Sequence, residues 1–216
     1  MNPPPKLDLA RLPTPLQPLD RLSEALGGPR IWIKRDDLTE AAGAGNKIRK
    51  LEFVLADALN QGATALITSG GLQSNHCRAT ALFAAQLGLQ CHLILRGADA
   101  KTANGNLLLN QLLGAKIDYV SDQAFEHLDG LYERKVVELS GLGERPYRIP
   151  IGASDELGLW GYILSRQGTG RRFYLGANST ELYGDRRWIW RHLCWVIVRS
   201  GALQTVSACH RHLRVP

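Results

Sequence analysis

Ala65-Leu66-Ile67-Thr68-Ser69-Gly70-Gly71-Leu72-Gln73-Ser74-Asn75-His76 runs from four strand-compatible residues, through two glycines, into the small polar residues that open helices. The stretch reads as a buried strand at 65–68, a tight loop, and a helix over 75–87 stopped by Gly88. Ser74 or Asn75 suits the N-cap. Taken alone, this is an ordinary strand–helix loop. Its geometry also suits an anion, because unpaired N–H groups converge at a helix N-terminus.

A helix upstream changes the weight of that loop. Residues 47–60 place Ile48, Leu51, Val54, Leu55 and Ala58 on one apolar face, and Gly62 stops them. Lys47 opens this helix beside Gly43, Gly45 and Asn46, where the backbone can approach a ligand closely. A cation at a helix N-terminus opposes the macrodipole, so the setting favours the neutral, nucleophilic amine. An amine able to form a Schiff base, paired with a helix N-terminus able to hold a carboxylate, is what pyridoxal 5'-phosphate chemistry on amino acids requires.

Outward from these segments the chain alternates. Strands are expected at 31–34, 91–95, 116–120 and 147–149, and helices at 19–26, 106–113 and 124–139. Strands separated by helices of this length imply an α/β fold with a parallel sheet. The rhythm breaks near Ser165. Residues 166–216 hold nine Arg, no Lys and only Glu181 and Asp185, with Trp188, Trp190 and Trp195. The excess positive charge of the chain, +6, therefore resides in that tail.

Composition narrows the class further. No stretch is apolar enough to span a membrane, and no signal pattern opens the chain, so a cytoplasmic location is expected. Cys77, Cys91, Cys194 and Cys209 show no paired spacing and read as free thiols. His192, Cys194, Cys209, His210 and His212 lack zinc-site spacing, so no metal is expected. The tail's arginines and tryptophans could meet nucleic acid, but no binding motif accompanies them, and nucleic acid is not expected as a partner.

Three segments together resemble a known family. Ile33-Lys34-Arg35-Asp36-Asp37-Leu38-Thr39, Gly45-Asn46-Lys47-Ile48-Arg49-Lys50-Leu51-Glu52-Phe53 and Gln73-Ser74-Asn75-His76-Cys77-Arg78 are similar to the D-cysteine desulfhydrase and 1-aminocyclopropane-1-carboxylate deaminase family of fold type II pyridoxal-phosphate enzymes. Asn104-Gly105-Asn106 and Ile149-Pro150-Ile151-Gly152-Ala153-Ser154, through Gly158, Gly161 and Tyr162, continue the resemblance over about residues 10–165. It implies that Lys47 holds the cofactor and moves the α-proton, with Asn46 beside it, and that Asn75 bonds the pyridine 3′-oxygen. Ser74, Asn75 and His76 would receive the substrate carboxylate, with Ser74 assisting proton transfer. A small amino-acid substrate and a homodimer are implied.

The resemblance also sets a domain scheme. Residues 1–47 and 151–165 would be the edge of a large cofactor domain, 48–150 a small α/β domain, and 166–216 a tail foreign to the fold, such as a translated shifted frame. The family's phosphate-cradling loop has only a faint echo in Gly176-Ala177-Asn178-Ser179-Thr180, and most of the large domain is expected to be missing. Weak cofactor binding and impaired conversion of D-cysteine to pyruvate, ammonia and sulfide are the expected consequences, the alternative being a catalytically inactive fragment that retains ligand or subunit binding.

Overall fold

The computed structural model describes residues 2–27, 30–39, 45–99, 102–174 and 196–198, with side chains described up to residue 165. In chain order the elements are β1 (Leu16–Pro18), α1 (Asp20–Leu26), β2 (Ile31–Lys34), α2 (Lys47–Asn60), β3 (Ala65–Gly71), α3 (Asn75–Gln86) and β4 (Gln90–Arg96). There follow α4 (Gly105–Leu112), β5 (Lys116–Val120), α5 (Asp122–Glu126), α6 (Leu128–Gly141), β6 (Pro146–Arg148), α7 (Glu156–Tyr174) and β7 (Val196–Val198). Single 3-10 turns stand at Asp36–Leu38 and Ile151–Ala153.

The main sheet is parallel, in the order β5-β4-β3-β6, with Leu66 opposite Cys91 and Tyr147, and Leu93 opposite Ile117. Strand alternation divides its side chains between two layers. Leu66, Cys91, Leu93 and Leu95 join Ile48, Leu51, Val54 and Leu55 of α2 and Cys77, Phe83 and Ala84 of α3 in one core. Ala65, Ile67 and Ile94 face the opposite side, against Tyr132 and Leu139 of α6. A second, antiparallel sheet has the order β1-β2-β7.

β3 runs on through Gly70 and Gly71, where a loop is expected after Thr68, and three further features depart from the sequence reading. The helix expected at 124–139 is two helices meeting at His127, with Ser121 capping the first through Ala124 N–H. The expected break at Ser165 is not a helix end, since α7 runs on to Tyr174 and Val196–Val198 pairs with β2. The rest of the tail reading, Gly43, Cys194, Cys209 and the 176–180 segment lie outside the described residues. Among the described residues no helix is long and apolar enough to cross a membrane.

The third departure concerns α2. Its apolar stripe predicts one buried face, yet Arg49, Lys50, Glu52 and Phe53 are buried as well. The cause is a second packing partner. A Cβ on Gly161 of α7 would collide with the Arg49 carbonyl and lie 2.8 Å from Lys50 N, so the two helices meet backbone to backbone. Each buried polar group on that side has a bonding partner, as burial requires. Arg49 makes a two-pronged pair with Asp36 at 2.7 Å and 2.7 Å, and Thr14 Oγ1 joins both. Glu52 Oε1 accepts the N–H groups of Leu9 and Ala10.

Candidate active site

Lys47 is the first residue of α2, and its half-buried amine extends toward the 3-10 turn at 151–153. A Cβ on Gly152 would lie 3.1 Å from Lys47 Nζ, so the amine occupies space that any larger residue would invade. Gly152 has φ +65, and Ala153 follows in the same left-handed region at φ +47. For a residue with a Cβ that conformation is costly, and such strain tends to collect at sites that hold ligands.

Lys50, one turn further along α2, points the same way. Its Nζ donates to Gly152 O at 2.9 Å and Ser154 Oγ at 3.1 Å, and lies 5.7 Å from the Tyr162 ring centre. Burial pushes its pKa down to about 8, the charge of Lys47 adds to the fall, and Asp155 opposes it. The Lys47 pKa is also lowered. That is the direction expected from the sequence, with removal from water as the cause.

β3 and α3 supply the facing wall. Ser74 is the N-cap of α3, its Oγ accepting Cys77 N–H at 3.2 Å, and the Ser74 carbonyl accepts Arg78 N–H. The first two helical N–H groups, of Asn75 and His76, have no partner inside the helix. A Cβ on Gly70 would sit 2.7 Å from Ser74 Oγ and 2.9 Å from Cys77 Sγ, so a glycine there lets the helix start close to the strand end. Asn75 is exposed at the mouth of this arrangement, and Asn46 precedes α2 with no side-chain capping bond.

The His76 imidazole takes a different course. It is buried 2.9 Å from Thr68 Oγ1, and the Thr68 hydroxyl donates to Ile149 O at 3.0 Å. A hydroxyl has one proton to give. Its bond to the carbonyl therefore leaves His76 Nε2 as the donor to Thr68 and Nδ1 as a bare lone pair. Nδ1 is buried without a hydrogen-bond partner. Burial lowers the His76 pKa to about 3, and the charges of Lys47 and Lys50 contribute. The imidazole is neutral at ordinary pH and turned into the protein, whereas its backbone N–H opens toward the α3 terminus.

Ser74, Asn75 and His76 thus stand at the start of α3, beyond the C-terminal end of β3, and Lys47 at the first turn of α2, near enough for its charge to act on His76. Sequence reasoning did not single out Lys50, Thr68, Gly152 or Asn106. Lys50 carried a signal in its three-residue spacing from Lys47 on one helix face, and Gly152 and Asn106 in lying within segments that carry the family resemblance.

The family model described as pyridoxal-phosphate dependent enzyme matches residues 7–163. The chain is 50% identical over 158 residues to a Thermotoga maritima protein provisionally named a 1-aminocyclopropane-1-carboxylate deaminase, covering 73% of this chain and 50% of that protein. It is 46% identical over 166 residues to the D-cysteine desulfhydrase of Salmonella paratyphi B, covering 74% of this chain and 50% of that protein. The crystal structure of an ACC deaminase homologue superposes with TM-score 0.70 at 38% identity, covering 77% of this chain and 50% of that one. Escherichia coli diaminopropionate ammonia lyase, at 17% identity and TM-score 0.57, shares the fold. The chain spans about half the length of the curated relatives it matches.

Proposed function

Because the chain belongs to the family of pyridoxal-phosphate dependent enzymes, we propose that its site serves a lyase or deaminase reaction on a small amino acid, with D-cysteine the first substrate to test. The observation that carries this reading is the Lys47 amine, held toward its neutral form beside Gly152 and close enough to the α3 terminus for its charge to act on His76. The residues present fit the cofactor. Lys47 provides an amine for its aldehyde, and α3 a donor-lined terminus for a carboxylate.

When bound, pyridoxal phosphate supplies the electron sink that makes an α-proton removable. In this reading Lys47 Nζ moves that proton. The N–H groups of Asn75 and His76 bind the carboxylate, and Asn75 Nδ2 donates to the ring oxygen. Ser74 Oγ already accepts from Cys77 N–H, which leaves its own proton free to bond the substrate. His76 contributes its backbone rather than its imidazole, since a ring with a pKa near 3 gives up no proton at neutral pH. With D-cysteine and water the products would be pyruvate, ammonia and sulfide; ring-opening deamination of 1-aminocyclopropane-1-carboxylate is the related alternative.

Residues 48–150 then form the small α/β domain, and 1–47 with 151–165 the edge of a cofactor-holding domain. The test is visible absorbance of the chain mixed with pyridoxal phosphate and passed through gel filtration, beside Lys47→Ala. A retained band that requires Lys47 supports the site, and sulfide release from D-cysteine then decides the reaction. No retained band in either protein sinks the reading.

A further inference from the structure

The loop before α3 is tied to the start of α4 by a web of amides. Asn106 Oδ1 accepts from Arg78 Nη1 at 3.1 Å, and Asn106 Nδ2 donates to Gln73 O at 2.8 Å and to Asn75 Oδ1 at 2.9 Å. Gln73 answers with Oε1, which accepts Asn106 N–H at 2.8 Å, and with Nε2, which donates to Asn104 O at 3.2 Å and Asn104 Oδ1 at 3.0 Å. Gly105, at φ +51, permits the approach, since a Cβ there would lie 2.5 Å from Gln73 Oε1.

The ends of this web are groups of one chemical sense. A guanidinium N–H only donates, a backbone carbonyl only accepts, and a backbone N–H only donates. Reversing the Asn106 amide would set its NH2 against a guanidinium and its oxygen against a carbonyl. Its orientation is therefore fixed by its neighbours, and so is that of the next amide along. Asn75 must turn Oδ1 toward Asn106, which directs Nδ2 away from the clasp.

We propose that Asn106 is a positioning residue that sets the hydrogen-bond polarity of Asn75, so that the first residue of α3 offers its ligand donors only. Backbone N–H and Nδ2 together select an acceptor oxygen, whether carboxylate or phenolate, and reject a donor at the same place. That the ligand is the cofactor or its substrate rests on the function proposed above; the polarity of Asn75 does not.

Two experiments separate these. Side-chain amide exchange, read from 1H–15N spectra of the chain without added ligand, reports the polarity directly. In the native sequence the Asn106 NH2 pair exchanges slowly and the Asn75 pair freely. In Asn106→Asp, which has the same shape but no donor, Asn75 reverses and its pair becomes protected. The opposite pattern in the native chain, or an Asn75 pair unmoved by Asn106→Asp, overturns the proposal. Should Asn106→Asp fail to fold, the native pattern still decides.

The functional consequence is read by absorbance titration with pyridoxal phosphate. Asn75→Asp keeps an oxygen for Asn106 but replaces the outward donor with an acceptor. It and Asn106→Asp should both raise the Kd tenfold or more, with the Asn106 pair still protected in Asn75→Asp. Protected amides with an unchanged Kd overturn the ligand half of the proposal. A native chain that binds no pyridoxal phosphate, yet shows the expected amide pattern, sinks the function reading and leaves the polarity standing.

Discussion

Gly161 of α7 rests on the Arg49 carbonyl of α2, closer than any side chain would permit. The lysine-bearing turn of α2 thus takes its position from a residue more than a hundred places away in sequence. Gly161→Ala must push the helices apart, and overpacking of this kind costs about 1–3 kcal/mol. Urea unfolding should register that loss, and pyridoxal phosphate retention should fall with it. An alanine variant as stable as the native chain would mean that α2 and α7 can separate without cost.

Side chains fasten the same turn as well, through Arg49, Asp36 and Thr14. Truncating Asp36 to Ala leaves a guanidinium buried without its counter-ion, which typically costs about 3–5 kcal/mol. Chemical denaturation measures this directly. A loss below about 1 kcal/mol, as at an exposed pair, would show that water reaches Arg49 freely.

Gly152→Ala probes the space beside Lys47. The added methyl meets Nζ at 3.1 Å and must adopt φ +65. The backbone penalty is of order 1 kcal/mol, small enough for the fold to survive. Cofactor retention should nonetheless drop roughly tenfold, equivalent to about 1.4 kcal/mol. Unaltered retention in the folded variant would remove Gly152 from the site.

His76 predicts a signature in acid. Unfolded, its imidazole takes up a proton below about pH 6.5, whereas the folded ring does so only near pH 3. Between those values the unfolded state binds more protons, so stability falls as pH falls, by about 1.4 kcal/mol per pH unit for one group. Denaturation curves from pH 6.5 to pH 4 should therefore be steeper in pH for the native chain than for His76→Gln. Parallel pH dependences would show that His76 charges while folded.

Much of this molecule is legible in its sequence because the decisive signals are local. The helix of 47–60 and the strand of 116–120 have the expected bounds, since apolar spacing, glycine stops and turn residues act over a few positions. Ser74 is likewise readable as an N-cap because capping is satisfied within three residues. α7 escaped notice because its glycines, poor helix formers in isolation, are there to meet α2 and the Ala153 carbonyl.

The sequence by itself determined the α/β alternation, the lysine at one helix start and the donor-bearing residues at another. Tertiary structure alone decided what state those residues are in. Lys50 is buried beside Lys47, the His76 ring turns inward to Thr68, and Asn75 is held with its donor outward, because the partners that impose these states come from distant segments. Hydrogen bonding and desolvation depend on distance in space, and only folding brings Gly152, Ile149 and Asn106 to their places.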